Sequence, residues 1–483
     1  MADNLNKQIV KGVSWTFVET FSMYFVRFAI GIILARLLLP QEFGVIGMAA
    51  IFIAVSEVFI SAGFGQAYIY KENVTDKDAN TVFYLNLGIS LLVYSVVFLL
   101  APQIAHFFNT PQLKDVIRVL FLVVIIDAFS IIQYSIIRKN FLFKKKALAR
   151  LIASILSGIV GIVMAYIGFG VWSLVTQQIC SHLFICIILY LLSNWRPSLS
   201  FSTQFAKQNF GYSIWLLFSD TINILMNNFY RLAIGKAYTA TSLGLYDTGE
   251  RFKTMISDSF ISIFTQVAFP SFTKVKSQPS ELLGLCKRYV KFSTLAIFPV
   301  LITLMVISKP FVLLLLTEKW IGVVPYIRIF CVVGLIVPYH VFLFPLLEAT
   351  GYTKLVLGAS ITRAILRIIN VVIALLLGNV LWILYGEIAV LTIMVVSYSH
   401  ISKKRLHFNY LSVVSPTSKT IVISLVTIIF GETALHFIDM MGFNTILTLI
   451  IPIIIMITTY IALNVLFQKD VLMNIVEFIK KKQ

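Results

Sequence analysis

The sequence predicts an all-α polytopic membrane protein of about fourteen transmembrane helices. Three observations carry that reading. Hydrophobic residues make up 59% of the 483 and charged residues only 12%, against roughly 25% charged in a soluble domain. Mean hydropathy is +0.92, so lipid must be the solvent for most of these side chains. Apolar runs of roughly 20 residues recur along the chain, broken by short polar or Gly/Pro punctuation. Finally, Lys and Arg are concentrated in every second connection, as a chain threading back and forth across a bilayer requires.

Taken in order, the predicted spans are 13–38, 43–67, 81–101, 115–137, 148–168, 170–193, 210–236, 253–273, 289–316, 324–349, 352–377, 379–402, 417–438 and 442–467. The polar leader Met1 to Lys11 runs into an apolar stretch too long for a signal-peptide core and without a small-residue cleavage site, which predicts an uncleaved first helix. Lys309-Pro310 interrupts the long 289–316 span. Counted with the N-terminus inside, the inner connections carry Arg138, Lys139, Lys144, Lys145, Lys146 and Arg150, and further basic residues up to Lys480–Lys482. The outer ones carry few, among them Lys114, Lys236, Arg251 and Lys319. Both termini of this multi-pass protein are therefore expected in the cytoplasm.

The net charge of +18 is accounted for by these topology determinants and by anionic lipid headgroups. No basic-aromatic module stands outside the apolar spans, so nucleic acid is not an expected partner. Cys180, Cys186, Cys286 and Cys331 show no CxxC pair and the six histidines no HExxH spacing, so neither a disulfide framework nor a metal or cofactor site is expected. The chain has no Walker A, GxSxG or DxD motif, and its longest connections, at roughly fifteen residues, are too short for a catalytic domain. A transporter is expected, not an enzyme.

An ungapped shift of 200 residues aligns the first helix pair with the seventh and eighth. Trp15 falls on Trp215, Ala35-Arg36 on Gly235-Lys236, Phe43-Gly44 on Leu243-Gly244, and Phe64 and Gln66 on Phe264 and Gln266. A duplication predicts two pseudo-symmetric six-helix bundles, 1–200 and 201–402, related by an axis along the membrane normal, with two additional helices and a basic tail at 403–483. Two facing bundles can enclose a cavity and rock it open to either side, which is a transporter's architecture.

The stretch Leu34-Ala35-Arg36-Leu37-Leu38-Leu39-Pro40-Gln41-Glu42-Phe43-Gly44 resembles the ARxLxPxEFG signature that closes the first helix of polysaccharide transporters in the multidrug/oligosaccharidyl-lipid/polysaccharide (MOP) superfamily. Ala62-Gly63-Phe64-Gly65-Gln66-Ala67 is similar to its continuation. Ile234-Gly235-Lys236 with Leu243-Gly244-Leu245-Tyr246, and Ala268-Phe269-Pro270-Ser271-Phe272, resemble the second-half elements. The nearest branch is that of the Wzx-type repeat-unit flippases for lipopolysaccharide, colanic acid and teichuronic acid. The resemblance implies a MATE-like MOP fold and a substrate, an oligosaccharide on a polyprenyl pyrophosphate carrier, turned from the cytoplasmic to the outer leaflet for cell-surface polysaccharide synthesis. The alternatives are a lipid II-type flippase and a drug/cation antiporter of the same fold; the antiporter would need an acidic lumen, whereas the mid-span charges here lean basic.

An ionisable group within a span costs roughly 2.5–3.5 kcal/mol, so each is a functional candidate. Arg27 sits mid-span, Arg231 shares an i, i+4 face with Asn227, and Arg363 and Arg367 repeat that spacing. Two like charges on one face should be hydrated or hold an anion. A pyrophosphate sugar is anionic and hydroxylated, and Arg makes bidentate phosphate contacts that Lys cannot match. Arg27, Arg231, Arg363, Arg367 and Asn227 are therefore the expected lining of a cationic lumen. Asp127 and Glu57, both mid-span, are the candidates for H+ or Na+ coupling, with pairing to the arginines the competing role. Arg36 and Lys236 match at the repeat offset and are expected at helix ends, as gate or snorkelling residues. Expected partners are membrane lipids, the lipid-linked oligosaccharide and a polysaccharide polymerase.

Overall fold

A computed structural model describes residues 2–61, 65, 68–69, 71, 74–140, 142–405 and 409–468. Most of the Ala62–Ala67 motif and the Lys480–Lys482 cluster lie outside the described residues, as do the side chains of Trp215 and Gln266. Contacts divide the chain into two compact units, Met1–Asp247 and Thr248–Gln483.

Among the described residues there is helix but no strand. In the first unit, α1 (Ala2–Leu37) and α2 (Pro40–Ser61) are followed by α3 (Asp76–Phe107), α4 (Leu113–Leu120) and α5 (Leu122–Lys139). Next come α6 (Phe143–Tyr166), α7 (Val171–Leu192), α8 (Thr203–Asn227), α9 (Phe229–Ala237) and α10 (Ala240–Lys253). The division between the units falls inside α10. The second unit continues with a π-helical turn (Thr254–Asp258), α11 (Ser259–Lys274), α12 (Pro279–Val306) and α13 (Ser308–Leu315). It ends with α14 (Val324–Val341), α15 (Leu343–Ala349), α16 (Thr353–Leu376), α17 (Leu381–Arg405), α18 (Ser418–Met440) and α19 (Thr445–Phe467).

Among the described residues every predicted span falls on helix, and ten helical stretches there are long and apolar enough to cross a membrane. The four predicted spans outside that set are 13–38, 115–137, 210–236 and 253–273. The last three are interrupted, at Phe121, at Asn228 and by the π-helical turn. Two other interruptions have a covalent cause. Pro310 and Pro345 lack an N–H and their rings clash with the carbonyl four residues back; α12 accordingly ends at Val306 and α14 at Val341.

Side chains cap several helix starts. Thr75 and Asp78 form a reciprocal capping box at the start of α3, and the Asn444 side chain accepts the Leu447 N–H at 3.0 Å to start α19. The tight α6–α7 link turns through Gly168 (φ 92°) and Gly170 (φ 55°), a left-handed region that favours glycine. In the first unit α6 packs between α1 and α7. It does so through a face of Ala149, Ala153, Ser154, Ser157, Gly158, Gly161 and Ala165. Small residues let helix backbones approach where lipid supplies no hydrophobic driving force. In the second unit α14 packs against α12 and α17, and α18 pairs with α19. A core of this unit gathers Phe272, Cys286, Phe342, Leu346, Met394 and Tyr410.

Candidate functional site

Four helices of the first unit converge on a cavity of about 280 Å³. α2 contributes Glu57, α5 Asp127, Ser130, Ile131 and Tyr134, α6 Lys146 and Arg150, and α7 His182, Ile185 and Leu189. On α5, α6 and α7 these residues recur at three- and four-residue steps, with Ser130 beside Ile131, so one face of each helix turns inward. At the centre Nδ1 of His182 lies 2.7 Å from Oδ1 of Asp127, a hydrogen bond in which the ring donates to the carboxylate. Ligand atoms of Glu57, Asp127 and His182 all lie within 4.8 Å of one another. Asp127 and His182 keep about a quarter of their side-chain surface open (27% and 28%), so the pair is reachable.

Cations surround this group. Arg150 donates to the buried Glu19 of α1 at 2.9 Å, and Lys146 sits 3.4 Å from the same carboxylate oxygen. Lys146 also lies over the Tyr134 ring, 5.6 Å from its centroid. Arg27, exposed on α1, acts electrostatically on His182. Two carboxylates and a ring nitrogen are donors enough for a metal ion. Here the Asp127–His182 bond already engages two of those donors, and each group of the triad can also bind a proton.

The other expected residues occupy different places. Arg231 donates through Nε to Asp247 at 2.7 Å and through Nη1 to the Asn228 side-chain oxygen at 2.9 Å. Asn227 is exposed at the last position of α8. The helix break at Asn228 brings the neighbouring asparagine, not Asn227, onto Arg231. Gly47 of α2 leaves room for the Asp247 carboxylate, which a methyl there would overlap.

Arg363 and Arg367, one turn apart on α16, both reach Glu387 of α17 in the second unit. Nη2 of Arg367 is 2.8 Å and Nη2 of Arg363 3.3 Å from Oε1, with Arg367 Nε 3.3 Å from Oε2. The two positive charges thus share one carboxylate. His340 of α14, within electrostatic reach of all three, is buried with no hydrogen-bond partner for Nε2 among the described residues. Lys236 donates to the carbonyl of Phe107, the last residue of α3, at 2.7 Å, and lies 4.5 Å from that ring's centroid. A cation on the final carbonyl complements the negative end of the helix dipole. Arg36 is exposed in the last turn of α1.

Sequence reasoning missed His182 and Asp247. Asp127 and His182 are 55 positions apart and Arg231 and Asp247 are 16 apart across a loop, so no local spacing signals either pair. The signal available for His182 was a polar i, i+4 pair, Gln178 and His182, on the otherwise apolar α7.

The fold comes first: an all-helical, multi-pass architecture that solved transporters share. The chain superposes on the lipid II flippase MurJ in its inward closed conformation with a TM-score of 0.72, at 16% identity, covering 94% of this chain and 99% of that one. It superposes on an inward-facing MATE multidrug resistance transporter of the MOP superfamily at 0.63, with 14% identity over 80% and 95% of the two chains. Residues 33–325 match the model of the family described as polysaccharide biosynthesis protein, and the chain belongs to that family. Among its relatives, the succinoglycan biosynthesis transport protein ExoT of Rhizobium meliloti is 23% identical over 74% of this chain and 73% of its own length. The lipopolysaccharide biosynthesis protein WzxC of Escherichia coli K12 is 25% identical over 69% and 68%. The teichuronic acid biosynthesis protein TuaB of Bacillus subtilis is 23% identical over 69% of each.

Proposed function

We propose that this protein is a flippase that turns a polyprenyl-pyrophosphate-linked oligosaccharide from the cytoplasmic to the outer leaflet by alternating access, supplying cell-surface polysaccharide synthesis. The observation that carries this reading is the family match together with relatives named for making three chemically different surface polysaccharides. What they share is the need to move a sugar on a lipid carrier across hydrocarbon, a step whose unaided cost is prohibitive for an anionic, hydroxylated headgroup. The inward-leaning charge of the loops supports a bacterial inner-membrane location with both termini in the cytoplasm.

In this reading Arg27, Arg231, Arg363, Arg367 and Asn227 contribute to a cationic path for the pyrophosphate. Arg363 and Arg367 over Glu387 remain partly accessible, at 31% and 17% of their side-chain surface. Glu57 and Asp127, joined by His182, form the coupling site, and the coupling ion is H+. Arg36 and Lys236 act at helix ends. The sequence repeat supports a cycle in which the bundles 1–200 and 201–402 move as bodies, with 403–483 outside the duplicated core. A polysaccharide polymerase is the downstream partner, consuming the flipped substrate.

Deletion of the gene tests the reading. Undecaprenyl-linked oligosaccharide should then accumulate with its sugar facing the cytoplasm, and the surface polymer should be lost. Unchanged surface polymer, or accumulation of lipid II in place of the oligosaccharide, would overturn it.

A further inference from the structure

Within the second unit, Arg363, Arg367 and Asn370 step four and three residues along α16 and so share one face. Asn370 is buried and donates through Nδ2 to the Ile383 carbonyl of α17 at 2.9 Å. Gly386 lets the two helices close there, since a methyl on it would overlap the Asn370 side-chain oxygen. The next residue is Glu387, so its carboxylate springs from a backbone held against α16. Its two oxygens take Nη2 of Arg363 and both Nε and Nη2 of Arg367. A guanidinium grips a phosphate in the same way, through N–H donors on two oxygens of one anionic centre. The Glu387 carboxylate therefore engages the donors that a phosphate arriving at these arginines needs.

The geometry is that of an exchangeable hold. Both arginines keep part of their side-chain surface open, and an open charge within a span belongs beside water, not hydrocarbon. Only the 2.8 Å contact has the length of a full charge-assisted hydrogen bond; the two at 3.3 Å are stretched. Two further groups nearby have no hydrogen-bond partner among the described residues: Nε2 of His340 and the hydroxyl of Tyr398. Each belongs to a buried side chain that Arg363 acts on electrostatically. Unmatched polar atoms in a core are uncommon, and water or a ligand oxygen is their usual complement. Tyr398 stands about three turns from Glu387 along α17, toward its basic end at Lys403–Arg405. In the orientation that the loop charges give, this hydroxyl lies on the cytoplasmic side of the carboxylate.

We propose that Glu387 is an internal counter-anion, which competes with the substrate's pyrophosphate for Arg363 and Arg367 and whose return to them releases the substrate. Glu387 touches no substrate; it acts through the two guanidinium groups. The proposal rests on the reading of these arginines as pyrophosphate ligands, but not on the identity of the sugar. A carboxylate that holds the arginines for most of the time lowers apparent affinity by the fraction of time they are free. The probe is farnesyl pyrophosphate, which carries the anionic group and a short polyprenyl chain without a sugar. Its binding to the purified full-length chain should tighten about tenfold or more in Glu387→Gln, which keeps the shape and removes the charge. Glu387→Asp keeps the charge and should stay close to wild type. A second comparison guards against a glutamine variant that folds poorly: Arg367→Ala with Glu387→Gln should bind the probe more tightly than Arg367→Ala alone. In proteoliposomes moving polyprenyl-pyrophosphate-linked oligosaccharide, Glu387→Gln should lower KM and kcat together, because a substrate held harder leaves more slowly. A purely structural glutamate would not lower KM. Binding that is no tighter in either glutamine background, or tighter binding with turnover undiminished, would overturn the proposal. Tighter probe binding in a protein whose wild-type form moves no oligosaccharide would sink the substrate reading and leave the competition standing.

Discussion

At the scale of single residues the account turns on charges that share partners. Asp127 fixes His182 through one 2.7 Å hydrogen bond. Asp127→Asn keeps the shape and removes the charge, so in proteoliposomes the acceleration given by an imposed proton gradient should fall by about tenfold or more, the factor carried by ~1.4 kcal/mol. His182→Gln should do the same, and an imposed sodium gradient should accelerate neither wild type nor variant. Glu387 holds both Arg363 and Arg367. Glu387→Gln removes the carboxylate that both arginines reach and should cost about 2 kcal/mol, less than a fully buried broken pair because both arginines are partly exposed. Adding Arg363→Ala to that variant should recover part of the loss in detergent thermal unfolding, since the two changes share a partner. These clusters were only half legible in the sequence. The cost of an intramembrane charge singles out Arg27, Arg231, Arg363, Arg367, Asp127 and Glu57 one by one. Their partners, His182, Asp247 and Glu387, are fixed by how helices pack, and Glu387 alone of the three stood out as an intramembrane acid.

At the scale of elements, glycine separates tight crossings from open ones. A methyl on Gly161 of α6 would stand 2.8 Å from Cβ of Gln177 on α7, whereas one on Gly88 of α3 would meet nothing within 4 Å. Gly161→Val should therefore destabilise by about 1–3 kcal/mol, while Gly88→Ala should be neutral or stabilise by up to about 1 kcal/mol through helix propensity. Thermal unfolding in detergent checks both, and equal losses at the two positions would contradict the packing described. The elements themselves were readable from hydropathy, and among the described residues every predicted span falls on helix. Their interruptions were readable only where covalent chemistry forces them, as at Pro310. The break at Phe121 has no Pro or Gly beside it. It follows from the amphipathic pattern of α4, whose Leu113, Val116, Ile117 and Leu120 are buried on one face, a pattern hidden inside a run that reads as one continuous span.

At the scale of the molecule, a helical chain of the polysaccharide biosynthesis protein family carries two carboxylates and a histidine together in its first unit and two arginines on one carboxylate in its second. Charge and repeat pattern made the class legible from sequence alone, because bilayer physics restricts what a chain this apolar can be. The substrate was legible only through family resemblance, since nothing in hydropathy distinguishes one headgroup from another. The most direct measurement is translocation itself. Purified protein in liposomes loaded with polyprenyl-pyrophosphate-linked oligosaccharide labelled on its sugar is followed by the access of an external glycosidase to the label. The account predicts that the enclosed half of the label becomes cleavable, faster under a proton gradient. Label that stays protected at the rate of protein-free liposomes, with and without that gradient, would contradict it.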